Sequence, residues 1–211
     1  MIRALILVAV VLTPAFIRAE EAPLPDLETM ERLRLGEIVS EPIQSEGHGG
    51  GVTATLMMWT PVEEIWATVY SCENAFIFVE GLELCEVPED NEDFTITHQI
   101  VNKGWPVPRQ DYSFRTERWP YTRAEVELVD GNLKMLKASW DFYITPEVVV
   151  VRYRLQIELG FPAPRFMVQR SLSKGTTRLL ACIRALAGGS GSPEREQEEL
   201  DQCPGDAHSA P

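Results

Sequence analysis

The sequence predicts an α+β fold in which a curved antiparallel β-sheet wraps around one long C-terminal helix. The first observation is a series of strand-like runs over residues 82–159, many with period-two alternation and separated by short turns. The second is residues 162–187, whose apolar stripe predicts a long helix that can cover one face of such a sheet. Two short apolar segments, 61–70 and 74–79, predict two short helices after the first strands, closing one end of the sheet.

Length and charge restrict the class of protein. The chain has 211 residues and is 45% hydrophobic, which suits one domain with a proper core. Its formal net charge of -13 argues against a nucleic acid partner, and against attraction to an anionic lipid surface.

The N-terminus resembles a secretory signal peptide over residues 1–19. Arg3 supplies the positive start, residues 4–12 the apolar segment, and Ala19 a small residue before the cut. The apolar run is shorter than the roughly 20 residues that a membrane span needs. We therefore expect an exported protein, periplasmic or secreted, with no stable membrane insertion of the mature chain.

The next segment predicts a leader followed by the first two strands. Residues 20–36 form an acidic leader with one short helix that Gly36 ends. The strands are expected at 37–46 and 52–59, joined by the glycine turn 47–51. That turn lacks the Lys-Ser/Thr pair of a phosphate-binding loop.

Six further strands follow the two short helices. They are expected at 82–87, 93–101, 110–118, 122–129, 132–144 and 147–159. In the fourth of them Ala124, Val126 and Leu128 alternate with charged residues, which indicates a sheet with one covered and one wet face. After the long helix, residues 188–211 are rich in Gly, Ser and Glu and are expected to form a disordered acidic tail.

The four cysteines favour disulfides over metal binding. They form no CxxC pair and the three histidines are far apart, so neither a metal site nor another cofactor is predicted. In an exported protein Cys72 and Cys85 are the candidate pair closest in sequence, and Cys182 with Cys203 is a second possibility. The sequence also leaves free buried thiols open.

Four segments, taken in order, resemble the START-like lipid-binding superfamily: 61–87, 103–118, 133–143 and 148–186. This superfamily holds polyketide cyclases, coenzyme-Q-binding START proteins and bacterial START domains. The resemblance covers residues 37–187 as one ligand-binding domain. It implies a helix-grip fold around a deep cavity, with a hydrophobic small molecule or lipid as the partner.

One motif departs from the bacterial START pattern, in which Pro-Trp-Pro is followed by an Arg-Asp pair. Here Gly104 replaces the first proline, and Gln110 separates Arg109 from Asp111. The role of that pair is therefore left open.

Inward-facing aromatic residues are the candidate ligand contacts. Trp140 and Phe142 alternate with Lys137, Ser139 and Asp141, so they should point towards the long helix. His98, which shares a strand face with apolar residues, is the one plausible general base, but no catalytic residue is assigned. The predicted ligand-binding set is His98, Tyr112, Phe114, Trp140, Phe142, Tyr153 and Phe166.

Three functions remain compatible with the sequence. The first is an exported binding protein that sequesters or transports a lipid-like or polycyclic hydrophobic ligand in an internal cavity. The alternative is a cyclase or dehydratase that acts on a polyketide-like substrate in the same cavity. The third is an interaction module whose interior is filled by side chains. The oligomeric state is left open.

Overall fold

The computed structural model describes residues 24–43, 49–105 and 107–205. The predicted signal peptide and residues 206–211 lie outside these ranges. The elements are α1 (Leu27–Arg34), β1 (Val39–Ile43), β2 (Gly50–Met58), α2 (Val62–Tyr70), α3 (Cys72–Phe78), β3 (Leu82–Asp90), β4 (Phe94–Val101), β5 (Gln110–Trp119), β6 (Arg123–Gly131), β7 (Met135–Ile144), β8 (Val149–Glu158), α4 (Arg165–Leu186) and α5 (Pro193–Leu200). No helix within the described ranges is long and apolar enough to cross a membrane.

The eight strands form one antiparallel sheet in the order β1-β2-β8-β7-β6-β5-β4-β3. From β3 to β8 each strand pairs with the next in the chain, and β8 then pairs with β2. The two edge strands carry Pro42 and Pro88, residues that hinder pairing with another chain. This curved sheet, with its C-terminal helix and short early helices, confirms the predicted helix-grip fold.

Helix α4 lies on the concave face of the sheet, closest to β2 and β1. Gly50 makes the close approach possible, because a Cβ atom there would lie 2.9 Å from Leu172 Cδ1. The Gln169 side chain fixes the position, since its Nε2 donates to Gly51 O at 2.7 Å and its Oε1 accepts from Gly51 N at 3.2 Å. The inner face of β4 to β6 belongs to the same concave face, but β8 and β7 separate it from β2 along the sheet.

The main core fills the space between α4, the short helices and strands β2, β7 and β8. Its fully buried members include Leu56, Ile65, Val151, Leu180 and Ile183. A second core cluster lies on the convex face, where Leu33 of α1 packs with Val39, Met57 and Val150. The end of the predicted leader is thus packed against the sheet.

The segment after α4 corrects the prediction of a disordered tail from residue 188. The Ser192 side chain caps α5, and this helix packs against α4. Glu199 of α5 is 5% exposed and pairs with Arg184 of α4. The acidic composition of this segment predicted a solvated chain. Composition alone does not show that Glu199 has a buried partner, Arg184.

Both candidate disulfides are present: Cys72–Cys85 joins α3 to β3, and Cys182–Cys203 joins α4 to the segment after α5. Replacing Cys72 and Cys85 together by serine should lower the free energy of unfolding by about 3 kcal/mol, because a bridge over a loop of about 15 residues restricts the unfolded chain. Urea unfolding followed by tryptophan fluorescence measures the change. Peptide mapping that recovers both thiols free in the native protein would contradict this prediction.

Candidate functional site

A continuous set of aromatic rings lines the concave face. Trp140 lies opposite Tyr153 across β7 and β8, with ring centroids 4.3 Å apart. On its own strand Trp140 stacks with Phe142 at 6.3 Å, and Phe142 contacts Trp66 of α2 at 5.6 Å. Trp140, Phe142 and Tyr153 are all buried, as expected for inward-facing residues.

Helix α2 closes one end of this aromatic surface. Trp66 contacts Tyr70 on its own helix and Tyr121 in the turn between β5 and β6. Beneath this end of the sheet Thr116 and Ala124 are 3% and 0% exposed, so the strands are close-packed there. These two side chains therefore leave almost no accessible surface at this end of the sheet.

Tyr112 and Phe114 lie further along the inner face of β5, with ring centroids 6.2 Å apart. The Tyr112 hydroxyl donates to Gln99 Oε1 at 3.2 Å, and burial raises the pKa of Tyr112 to about 12. Its side chain nevertheless keeps an accessible surface, being only half-buried. The Tyr112 hydroxyl is thus desolvated, while part of the side chain stays accessible on the concave face.

Tyr153 lies on the same concave face. Burial raises the pKa of its hydroxyl above the usual range, and Tyr112 is the second cause. Both tyrosines belong to inward-facing rows of the sheet, Tyr112 on β5 and Tyr153 on β8. Both are protonated at neutral pH and can donate hydrogen bonds.

The inner face of β4 to β6 forms the less filled part of the concavity. Side chains there are only half-buried, in contrast to the filled region under α2. They are Thr97, Gln99, Tyr112, Phe114, Val126 and Leu128. Because α4 lies nearest to β2 and β1, this region between the helix and β4 to β6 is the candidate site.

Two of the predicted ligand contacts, His98 and Phe166, lie outside the concavity. His98 lies opposite Ser113, whereas its neighbour Gln99 lies opposite the inward-facing Tyr112, so His98 is on the convex face. There its Nε2 is 2.9 Å from Asp111 Oδ1. Phe166 is 73% exposed in the first turn of α4, and the first buried residue of that helix is Val168.

The Arg109 and Asp111 side chains also lie outside the concavity. Arg109 Nε donates to Glu83 Oε2 at 2.7 Å, and Asp111 pairs with His98. The two side chains thus have separate partners and are exposed. The residue that sequence reasoning missed is Gln99, which is polar and shares the inner face with Thr97.

Comparison with known proteins identifies the family. The family model described as "Polyketide cyclase / dehydrase and lipid transport" matches residues 60–184. The chain belongs to this family. No curated protein matches the sequence.

Solved structures share the fold at low sequence identity. A STAR-related lipid transfer protein from Xanthomonas axonopodis has a TM-score of 0.63 and 12% identity over 72% of this chain and 93% of that chain. The Zhui aromatase/cyclase from Streptomyces sp. R1128 has a TM-score of 0.52 and 13% identity over 72% and 96%. Human STARD10 has a TM-score of 0.56 and 10% identity over 87% of each chain. Family and fold together indicate a START/polyketide cyclase-type domain that binds a hydrophobic ligand.

The raised pKa of Tyr112 predicts that the free energy of unfolding depends on pH. An unperturbed tyrosine has a pKa of about 10, and Tyr112 in the folded chain has one of about 12. The unfolded chain ionises first, so this contribution to stability is complete below about pH 10 and is lost as the pH rises to about 12. Tyr112→Phe should make the fall in stability over that window less steep.

Urea unfolding midpoints at about pH 9 and about pH 11 test this expectation. Tyr121→Phe, at a residue that is 40% exposed, is the matched control and should leave the slope unchanged. Equal slopes for the Tyr112 variant and the unmodified protein would show that Tyr112 is not desolvated.

Proposed function

We propose that the protein is an exported binding protein that sequesters or transports a lipid-like or polycyclic hydrophobic ligand. The ligand occupies the space between α4 and the inner face of β4 to β6. The observation that carries this proposal is Tyr112, whose hydroxyl is desolvated while its side chain remains accessible.

The aromatic surface supports a lipid-like or polycyclic ligand with a large apolar part. Trp140, Phe142 and Tyr153 offer a rigid wall beside the half-buried Phe114 and Leu128. Aromatic side chains contribute large contact areas to such sites, while a few polar groups orient the ligand. Gln99 with Tyr112, together with the Tyr153 hydroxyl, are polar groups of that kind.

Export is supported by two independent features. Residues 1–19 have the arrangement of a signal peptide, and the four cysteines form two disulfides. Disulfides persist in oxidising compartments and are rare in the cytosol. The intact mass of the protein secreted or released from the periplasm tests cleavage after residue 19.

Native mass spectrometry of protein purified from its source organism tests the binding function. We expect an added mass that solvent extraction removes. Leu128→Trp should abolish the added mass by filling the space, whereas Val129→Trp should retain it because Val129 is 56% exposed. Two results together would overturn the proposal: every preparation is free of ligand, and Leu128→Trp raises the stability. They would show that the interior is empty or filled by side chains.

A cyclase or dehydratase activity is the second candidate. The observation that favours it is the buried Tyr153 hydroxyl, which stays protonated and can donate a hydrogen bond to a substrate carbonyl. The general base predicted from sequence is missing from the concavity, since His98 lies on the convex face. Turnover of a polyketide-like substrate that Tyr153→Phe abolishes without loss of substrate binding would establish the enzyme.

A further inference from the structure

The concave face is almost free of charge. On β6 Ala124, Val126 and Leu128 point inward, and the neighbouring glutamates point outward. On β7 the inward positions are Ala138 and Trp140. The inward positions of β4 are Thr95, Thr97, Gln99 and Val101, all uncharged. On the described strands, Arg118 and Asp90 are the charged residues whose register places them on this face, and they form an ion pair with each other.

Arg118 lies at the closed end and already has partners. Its register partner is the fully buried Ala124, in the same row of the sheet as Trp140. Its Nη2 donates to Asp90 Oδ1 at 2.9 Å and to the carbonyl of Asn91. Through Nη2 the guanidinium is directed towards the β3–β4 turn, where Asp90 already compensates its charge, while its Nε is buried without a hydrogen-bond partner.

The charges of α4 also lie outside the candidate site. Arg170 and Lys174 are exposed. Arg178 Nη1 lies 3.7 Å from Glu80 Oε1 and is partly exposed. Arg184 is buried but pairs with Glu199 of α5. None of these charged side chains is both buried and unpaired. A charged headgroup placed against β4 to β6 would therefore find no counter-charge among them.

The polar groups that border the space are neutral. Tyr112 donates to Gln99, so the Tyr112 oxygen retains its capacity to accept. The Tyr153 hydroxyl has no hydrogen-bond partner among the residues of the described ranges. A ligand oxygen near β8 could accept from it.

We infer that the ligand is an uncharged amphipathic molecule with a carbonyl or hydroxyl oxygen that accepts from Tyr153, and not an anionic lipid. This inference rests on the proposed binding function. Burying an ionised headgroup without a counter-charge costs several kcal/mol. A neutral carbonyl or hydroxyl oxygen can be buried when it accepts one hydrogen bond.

Matched ligand pairs that differ in charge test the inference on the full-length mature protein. Suitable pairs are methyl palmitate with palmitate, and cholesterol with cholesterol sulfate, measured by quenching of tryptophan fluorescence. We expect the neutral member of a bound pair to bind at least about tenfold more tightly. Equal or tighter binding of the anionic member would overturn this inference and leave the binding function standing. Binding of neither member in any pair, with no ligand on the source protein, would remove the proposed function itself.

Tyr153→Phe separates the hydrogen bond from simple packing. We expect the affinity for the neutral oxygen-bearing ligand to fall about 5- to 10-fold, while the affinity for hexadecane stays unchanged. Tyr143→Phe is the control, because Tyr143 Oη accepts from Arg152 on the convex face. An equal loss for hexadecane, or no loss for either ligand, would show that the Tyr153 hydroxyl does not contact the ligand.

Discussion

Replacing Arg184 by methionine should lower the free energy of unfolding by about 3–5 kcal/mol, since it leaves a buried carboxylate without its counter-charge. Arg184 and Glu199 are 2% and 5% exposed. Arg184 Nε donates to Glu199 Oε1 at 3.0 Å, and Ser190 Oγ donates to Glu199 Oε2 at 2.6 Å. Denaturant unfolding of the oxidised protein measures the loss.

The same arginine joins four parts of the chain, which is why the loss should be large. Its Nη2 donates to Gly36 O at 3.0 Å, at the end of the leader, and its Nη1 donates to Met57 O at 3.4 Å on β2. Glu199 belongs to α5 and Arg184 to α4. Removing the guanidinium therefore takes a donor from two backbone carbonyls and leaves the Glu199 carboxylate with only the Ser190 hydroxyl.

Two controls isolate the buried pair. Lys137→Met breaks the exposed pair with Glu127, whose side chains are 59% and 68% exposed, and should cost less than about 1 kcal/mol. Adding Glu199→Leu to Arg184→Met should recover most of the stability, because two apolar residues need no counter-charge. A loss under about 1 kcal/mol for Arg184→Met alone would mean that α5 is not docked on α4 in solution.

Strand order and inward positions could be predicted wherever one face is apolar and the other charged. Ala124, Val126 and Leu128 alternate with charged residues, and they do point inward as that pattern predicts. The pairing of β2 with β8 depends on curvature of the whole sheet, which no local pattern contains. The sequence analysis therefore predicted the strand but not its partner.

The same reasoning failed on β4, because both of its faces are mixed. Phe94, Ile96 and Ile100 form the more apolar row and share the convex face with His98. The inward row holds Thr97 and Gln99, which border the interior beside Tyr112. Alternation of apolar residues identifies the inner face of a strand only if apolar side chains fill that face. A face that borders a ligand site can carry polar side chains instead.

Replacing Trp140 by alanine should lower the free energy of unfolding by about 3–5 kcal/mol, the usual range for a large buried aromatic residue. Trp140 is 7% exposed and packs on both sides, against Tyr153 and Phe142. We expect a value near 3 kcal/mol, because a side chain that borders an internal space has fewer packing partners to lose than one in a solid core.

The ligand affinity of Trp140→Ala should fall more than tenfold, since the variant lacks one wall of the proposed site. Trp119→Ala is the control: Trp119 is 45% exposed at the end of β5, and its loss should change stability by less than about 1 kcal/mol. Unfolding of the ligand-free protein in the presence and absence of methyl palmitate gives both quantities. Complete unfolding of ligand-free Trp140→Ala would identify Trp140 as filling a solid core. The half-buried residues of β4 to β6 would then need another explanation than a bound ligand.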